Sequence, residues 1–222
     1  ALISTEDVRF YEHNGIDNRS LIRVIIKSII MGNRSSGGGS TITQQLAKNL
    51  YGREDFGLLT LPVNKIREAI IAMRLEEVYS KDEILLLYLN IVPFGEEVFG
   101  IEAAANRYYN KTTSELEIDE AALLVGLLKR NTYYHPRLNP ERALERRNLV
   151  LQLMYDQGKI DDEVYQEQIF LPLDLDYSNL SYEGPAQYFL FQVKNKAREI
   201  LKDLENKSDT EYDIERDGLI IT

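Results

Sequence analysis

Acids and cations gather in the first third of this chain at spacings that could do chemistry. Glu6 and Asp7 lie in S-T-E-D-V-R-F-Y-E-H-N-G (4–15). Ser40, Gln45 and Lys48 lie in G-G-G-S-T-I-T-Q-Q-L-A-K-N (37–49), and Lys65 and Glu68 in K-I-R-E-A-I-I-A-M-R-L-E (65–76). With Arg23, they offer two carboxylates and several cations, a combination suited to a sugar attached to a phosphate. Displacing a pyrophosphate from an anomeric carbon needs no strong general acid, because the leaving group is weakly basic. It needs cations to take up the developing charge and one base for the proton of the attacking hydroxyl. A glycosidase also uses two carboxylates, but one must be protonated. The excess of cations favours the transferase.

Each segment also has a plainer reading. Glu6 and Asp7 alone fit a solvated pair near a helix end, with Phe10 and His13 serving packing and hydrogen bonding. Lys65 and Glu68, three apart, fit a surface ion pair of small energetic value. The glycine run alone reads as a linker, but a capped helix start follows it. Exposed N–H groups at such a start accept anions, and Gln44, Gln45 and Lys48 share a face there. With two histidines and no H-x-x-x-H spacing, little supports a zinc site.

The elements that must hold these residues read mostly as helix. An apolar helix over 20–31 carries a polar stripe that includes Arg23, and a flexible loop covers 32–40. Thr41 and Gln44 form a capping box that opens the next helix, and Ser80 and Glu83 form another. Residues 51–62, with two glycines and a proline, read as a mobile loop with an apolar tip at Phe56, Leu58, Leu59 and Leu61. Helices are expected over 63–79, 84–90, 101–109, 119–129 and 140–157, the last with Asn139 as N-cap and Gly158 past its end. Asp161 caps a short helix to 169. Residues 171–184 read as extended, 185–205 as helix and 209–222 as turn and strand.

The chain has 222 residues, enough for a sizeable core. It has no cysteine, so a disulfide framework is excluded, and its net charge of −10 argues against general nucleic-acid binding. Residues 1–74 carry ten Lys/Arg and seven Asp/Glu, so the acidity lies beyond the motifs. No apolar run is long enough to cross a bilayer. The first motif starts almost at Ala1, which suggests an upstream segment.

T-E-D-x-x-F-x-x-H-x-G (5–15), G-G-S-T-I-T-Q-Q-L-A-K-N (38–49), K-I-R-E-A-x-x-A-x-x-L-E (65–76) and K-D-E-I-L-x-x-Y-L-N (81–90) resemble, in order, the motifs of the peptidoglycan glycosyltransferases of family 51. N-P-E-R-A-L-E-R-R-N-L-V-L (139–151) resembles a fifth. The resemblance covers about residues 3–170. It implies a mainly α, lysozyme-like fold of two lobes, a head and a membrane-associated jaw, within a 1–170 domain. Residues 171–222 are then an extension with a strand, leading toward the transpeptidase domain of a class A penicillin-binding protein. The implied activity is polymerisation of lipid II into glycan strands, with inversion and release of undecaprenyl pyrophosphate. The implied setting is the periplasmic face of a bacterial membrane, reached through an N-terminal anchor. By position, Glu6 is the base and Glu68 the second essential carboxylate. Arg23, Ser40, Gln45, Lys48 and Lys65 hold pyrophosphate and sugars, Asp7 orients the motif, and Arg53 supplies an extra phosphate contact. A divalent cation such as Mg2+ is an implied cofactor, and moenomycin-type phosphoglycolipids are implied inhibitors. The chain departs from the family pattern at Asn64, where arginine is frequent, and at Glu97, where P-F-G-E-E (93–97) replaces a glycine. A lysozyme-like hydrolase and an inactive glycan- or lipid-binding scaffold are the competing readings.

Overall fold

The computed structural model describes residues 1–19, 39–178, 196, 200 and 201. Arg23, the helix expected over 20–31, most of the 32–40 loop and the strand expected within 209–222 lie outside the described residues. So does most of the helix expected over 185–205. Contacts divide the chain into two compact units, Ala1–Ser178 and Asn179–Thr222. The first unit contains every motif that resembles the family.

The described residues of this unit are mainly helical, as expected. The helices are α1 (Leu2–Glu6), α2 (Ile42–Tyr51), α3 (Thr60–Val78), α4 (Lys81–Ile91), α5 (Ile101–Tyr109), α6 (Ile118–Leu127), α7 (Pro140–Asp156) and α8 (Asp162–Ile169). Local chemistry accounts for their ends. Both expected capping boxes form: Thr41 with Gln44 at α2, and Ser80 with Glu83 at α4. Asp161 accepts from Val164 N–H at the start of α8. Asn139 holds the N-cap position of α7 but its side chain does not cap; its Nδ2 donates to Thr132 O instead.

Two stretches differ from expectation. The loop expected over 51–62 is shorter, because α3 begins at Thr60 and a single 3-10 turn, Gly57–Leu59, precedes it. Pro62 falls in the first turn of α3, where its missing N–H has no helical partner to lose. Asn64 fixes the loop: it is 1% exposed, accepts from Glu54 N–H and donates to Glu54 O and Thr60 O. That buried amide explains why a long cation does not stand at this position. The second difference is an antiparallel hairpin, β1 (Pro93–Gly95) and β2 (Val98–Phe99), in place of the simple helix break expected there.

α6 and α7 pack along each other, and α1 seats against both. α2 packs on α3 and α4. Phe10, Ile42, Leu46, Ile84, Tyr88, Leu123, Leu124, Leu127 and Leu151 are at most 1% exposed and form one core. Each such side chain contributes about 1.5–3 kcal/mol on burial. Gly15 closes the first motif at φ +82, and a Cβ there would stand 2.8 Å from the Ala72 backbone of α3. Its carbonyl accepts from Thr41 Oγ1 at 2.6 Å. Glycine is thus the residue that lets the N-terminal motif, α2 and α3 meet.

Candidate active site

Glu6 is the last residue of α1. The residue after it anchors the motif. Asp7 is 6% exposed; its Oδ2 accepts from Ile42 N–H at 3.0 Å, and both its oxygens lie 3.0 Å from His13 Nε2. A carboxylate at the first N–H of α2 also meets the positive end of the helix dipole. Asp7 thus bridges His13 and the first N–H of α2 and does not line the cleft. At the start of α2, Asp7 and the Thr41 hydroxyl take Ile42 and Gln44 N–H. Gln44, expected on the polar rim, is 5% exposed and committed to the capping box.

An open cleft of about 240 Å³ brings together Glu6, Ser40, Gln45, Lys48, Arg53, Lys65 and Glu68. Every sequence-predicted site residue among the described ones lies here except Asp7. α1 supplies Glu6, α2 supplies Gln45 and Lys48 one turn apart, and α3 supplies Lys65 and Glu68. The loop ordered by Asn64 carries Arg53. Gln45 Nε2 donates to Glu6 Oε2 at 3.1 Å.

Opposite charges are matched closely around Glu68. Arg53 Nε donates to Glu68 Oε1 at 2.9 Å and Lys65 Nζ to Oε2 at 2.5 Å. Lys65 Nζ also donates to Ser40 Oγ at 2.9 Å. Burial raises the pKa of Glu68, but hydrogen bonds and charges from Lys65 and Arg53 outweigh it and hold the carboxyl below the usual range. The Lys48 pKa is lowered: burial lowers it first and Arg53 lowers it further, with Glu68 acting in the opposite sense. A lowered lysine pKa between two other cations marks a place where positive charge is crowded and an incoming anion is welcome.

Sequence reasoning missed several neighbours. Leu128 and Lys129 line the cleft just past α6. Arg146 on α7 places Nη2 3.8 Å from Glu6 Oε1, and Tyr88 on α4 donates its hydroxyl to Gln45 Oε1 at 3.1 Å. Tyr88 and Arg146 fall inside quoted motif regions, which was the available signal. Lys129 carries none, because its place in the cleft depends on packing between distant segments.

The described residues do not fit a protein-built Mg2+ cage. Among the described residues no group of three His, Asp or Glu side chains could hold a metal ion. Each oxygen of Glu68 already accepts from a cation.

A family model described as "Transglycosylase" matches residues 1–155. Penicillin-binding protein 1A of Aquifex aeolicus is 44% identical over 88% of this chain and 26% of its own length. Penicillin-binding protein 1F of Bacillus subtilis is 46% identical over 72% of this chain and 22% of its own. Penicillin-binding protein 1A of Escherichia coli is 40% identical over 88% and 22%. A crystal structure of penicillin-binding protein 1A from Haemophilus influenzae is 32% identical, covers 55% of this chain and 17% of that one, and has a TM-score of 0.44. The chain spans about a quarter of the length of the relatives it matches. With the family model matching most of its length, over the residues that build this cleft, the chain belongs to the transglycosylase family.

Proposed function

We propose that this chain is a peptidoglycan glycosyltransferase that joins lipid II into β-1,4 glycan strands and releases undecaprenyl pyrophosphate. The observation that carries the reading is one cleft that holds the carboxylate Glu6 together with the group Lys48, Arg53, Lys65 and Glu68. In this reading Glu6 takes the proton of the acceptor 4-hydroxyl. The freed oxygen attacks the anomeric carbon from the side opposite the pyrophosphate, so the centre inverts. Lys48, Arg53 and Lys65 take up charge as it develops on the pyrophosphate. Glu68 keeps Arg53 and Lys65 directed into the cleft and offsets their mutual repulsion.

A hydrolase needs one carboxyl kept protonated to serve as acid; Lys65 and Arg53 hold Glu68 ionised, so Glu68 is not that acid. Lys48, Arg53 and Lys65 crowded in one cleft suit a pyrophosphate leaving group and favour the transferase. Phe56, Leu58, Leu59, Leu61, Ile66 and Ile70 are exposed on the loop and α3. They support a seat on the bilayer that carries a polyprenyl-linked donor. No helix among the described residues is long and apolar enough to cross a membrane. On the same reading the parent protein is anchored upstream, works at the periplasmic face and continues into a transpeptidase domain. A moenomycin-type phosphoglycolipid would compete for the cleft.

The test is incubation with lipid II, with electrophoresis of the products. Strand growth is expected. Glu6→Gln should lower turnover about 10²–10⁴-fold with an unchanged melting temperature. Soluble fragments released from finished peptidoglycan without polymerisation would instead support a hydrolase. Binding of lipid II without turnover would support a scaffold.

A further inference from the structure

We infer that Tyr88 is a positioning residue for Glu6, acting through the side-chain amide of Gln45; the inference rests on the assignment of Glu6 as the base. Three elements meet in this chain of groups. Tyr88 on α4 is 1% exposed and donates its hydroxyl to Gln45 Oε1 at 3.1 Å. Gln45 on α2 donates Nε2 to Glu6 Oε2, at the end of α1, at 3.1 Å.

The orientation follows from donor and acceptor counting. A glutamine amide has one accepting end and one donating end. When the phenol occupies the accepting end, the donating end must face Glu6. The reversed amide would set its oxygen against the carboxylate, two acceptors face to face. Burial, and next the charge of Glu6, push the Tyr88 pKa well above the usual tyrosine range. The phenol therefore remains an O–H donor at every pH at which the protein works. A protonated Glu6 makes no such demand, because it can donate to the amide oxygen itself. Tyr88 thus favours the ionised form of the base.

Other charges act on Glu6 as well. Arg146 from α7 lies 3.8 Å from Oε1. Lys48 of α2, Lys65 and Glu68 of α3, Arg53 of the preceding loop and Lys129 past α6 share the cleft. None of them is changed by removing the Tyr88 hydroxyl, which isolates its effect.

The experiment is the pH dependence of lipid II polymerisation by wild type, Tyr88→Phe, Gln45→Met and the double variant, with Glu6→Gln alongside. Phenylalanine keeps the buried ring. A lost hydrogen bond of ordinary strength predicts a fall in kcat of about five-fold near neutrality, with KM within about two-fold. The acid limb should move up by roughly half a pH unit. Gln45→Met should move the limb the same way, and the double variant should add little, because both changes cut one chain of groups. The Gln45 variant keeps the test available should Tyr88→Phe melt early. An acid limb unmoved in both single variants, or a loss equal at every pH, overturns the inference while leaving the base assignment intact. Turnover retained by Glu6→Gln overturns the base assignment and the inference with it.

Discussion

At the scale of single residues, the cleft shows charge placed at the expense of stability. Lys48 has a lowered pKa, through burial and then Arg53. The unfolded chain therefore binds this proton more tightly than the folded one. The resulting cost to folding is fully present below the folded pKa and fades as pH rises toward the unfolded value. An ordinary surface lysine carries no such penalty, so a functional reason is expected, namely contact with an anion that restores the charge. The same shift predicts a kinetic signature. The ammonium of Lys48 is lost at lower pH than the usual lysine value of about 10.4, so kcat/KM should fall early on the alkaline side. Lys48→Arg keeps its charge in that range and should move the alkaline limb to higher pH, even if the plateau drops because the guanidinium is shaped differently. An alkaline limb shared by wild type and Lys48→Arg would show that another group sets it.

At the scale of elements, the hairpin after α4 is where local rules are broken most openly. Gly95 pairs with Val98, so Glu96 and Glu97 form a two-residue turn. Their φ values are +51 and +60, the signature of a type I′ turn, which favours Asn-Gly. The two glutamates are not equivalent. Glu96 is compensated: its Oε2 accepts from Arg107 Nε and Nη2, and its Oε1 lies 2.7 Å from His135 Nε2. That cluster ties the hairpin to α5 and to the turn before α7. Glu97 is exposed and has no hydrogen-bond or ion-pair partner among the described residues. Left-handed backbone costs a non-glycine residue about 1–2 kcal/mol, and glycine's greater freedom in the unfolded chain returns about 0.5–1 kcal/mol of that. Glu97→Gly should therefore stabilise by about 0.5–1 kcal/mol, read as a higher urea midpoint at unchanged slope. Glu96→Gly relieves the same backbone but removes the partner of Arg107 and His135, so it should lower the midpoint.

At the scale of the whole molecule, what was legible from sequence was what is local. The boxes at Thr41 and Ser80, the caps at Asp161 and Gly158, and the run of helices follow from residues close in sequence. The cleft was legible on the side built by 1–76, because Glu6, Gln45, Lys48, Lys65 and Glu68 fall in dense motifs. Its other residues come from packing α6 and α7 against α1, more than a hundred residues away, and no periodicity reports that. The same holds for Arg147, which reads as one more cation on a helix yet is 0% exposed. Its guanidinium donates to Leu171 O at 2.7 Å, to Ile169 O and Pro172 O at 3.3 Å, and lies 3.5 Å from Asp119. Arg107 repeats the arrangement further on, donating to Ser178 O and stacking 5.1 Å from Tyr177. Two largely buried arginines thus hold the extended segment 171–178 against α5–α7 through backbone carbonyls, so that stretch belongs energetically to the helical unit. A chain ending at residue 170 should consequently be less stable than one ending at 178. Arg147 would lose two of its carbonyl partners, Leu171 O and Pro172 O, while keeping Ile169 O, Asn148 Oδ1 and Asp119, and two hydrogen bonds to a charged group together contribute about 3–5 kcal/mol. At about 2–4 °C per kcal/mol for a domain of this size, the shorter chain should melt roughly 6–20 °C lower. Glu6 and the cleft are untouched by the cut, so polymerisation at low temperature should persist in both. Equal melting temperatures would mean that water replaces the carbonyls of 171–178 at no cost, and the arginine clamp would then have no energetic role.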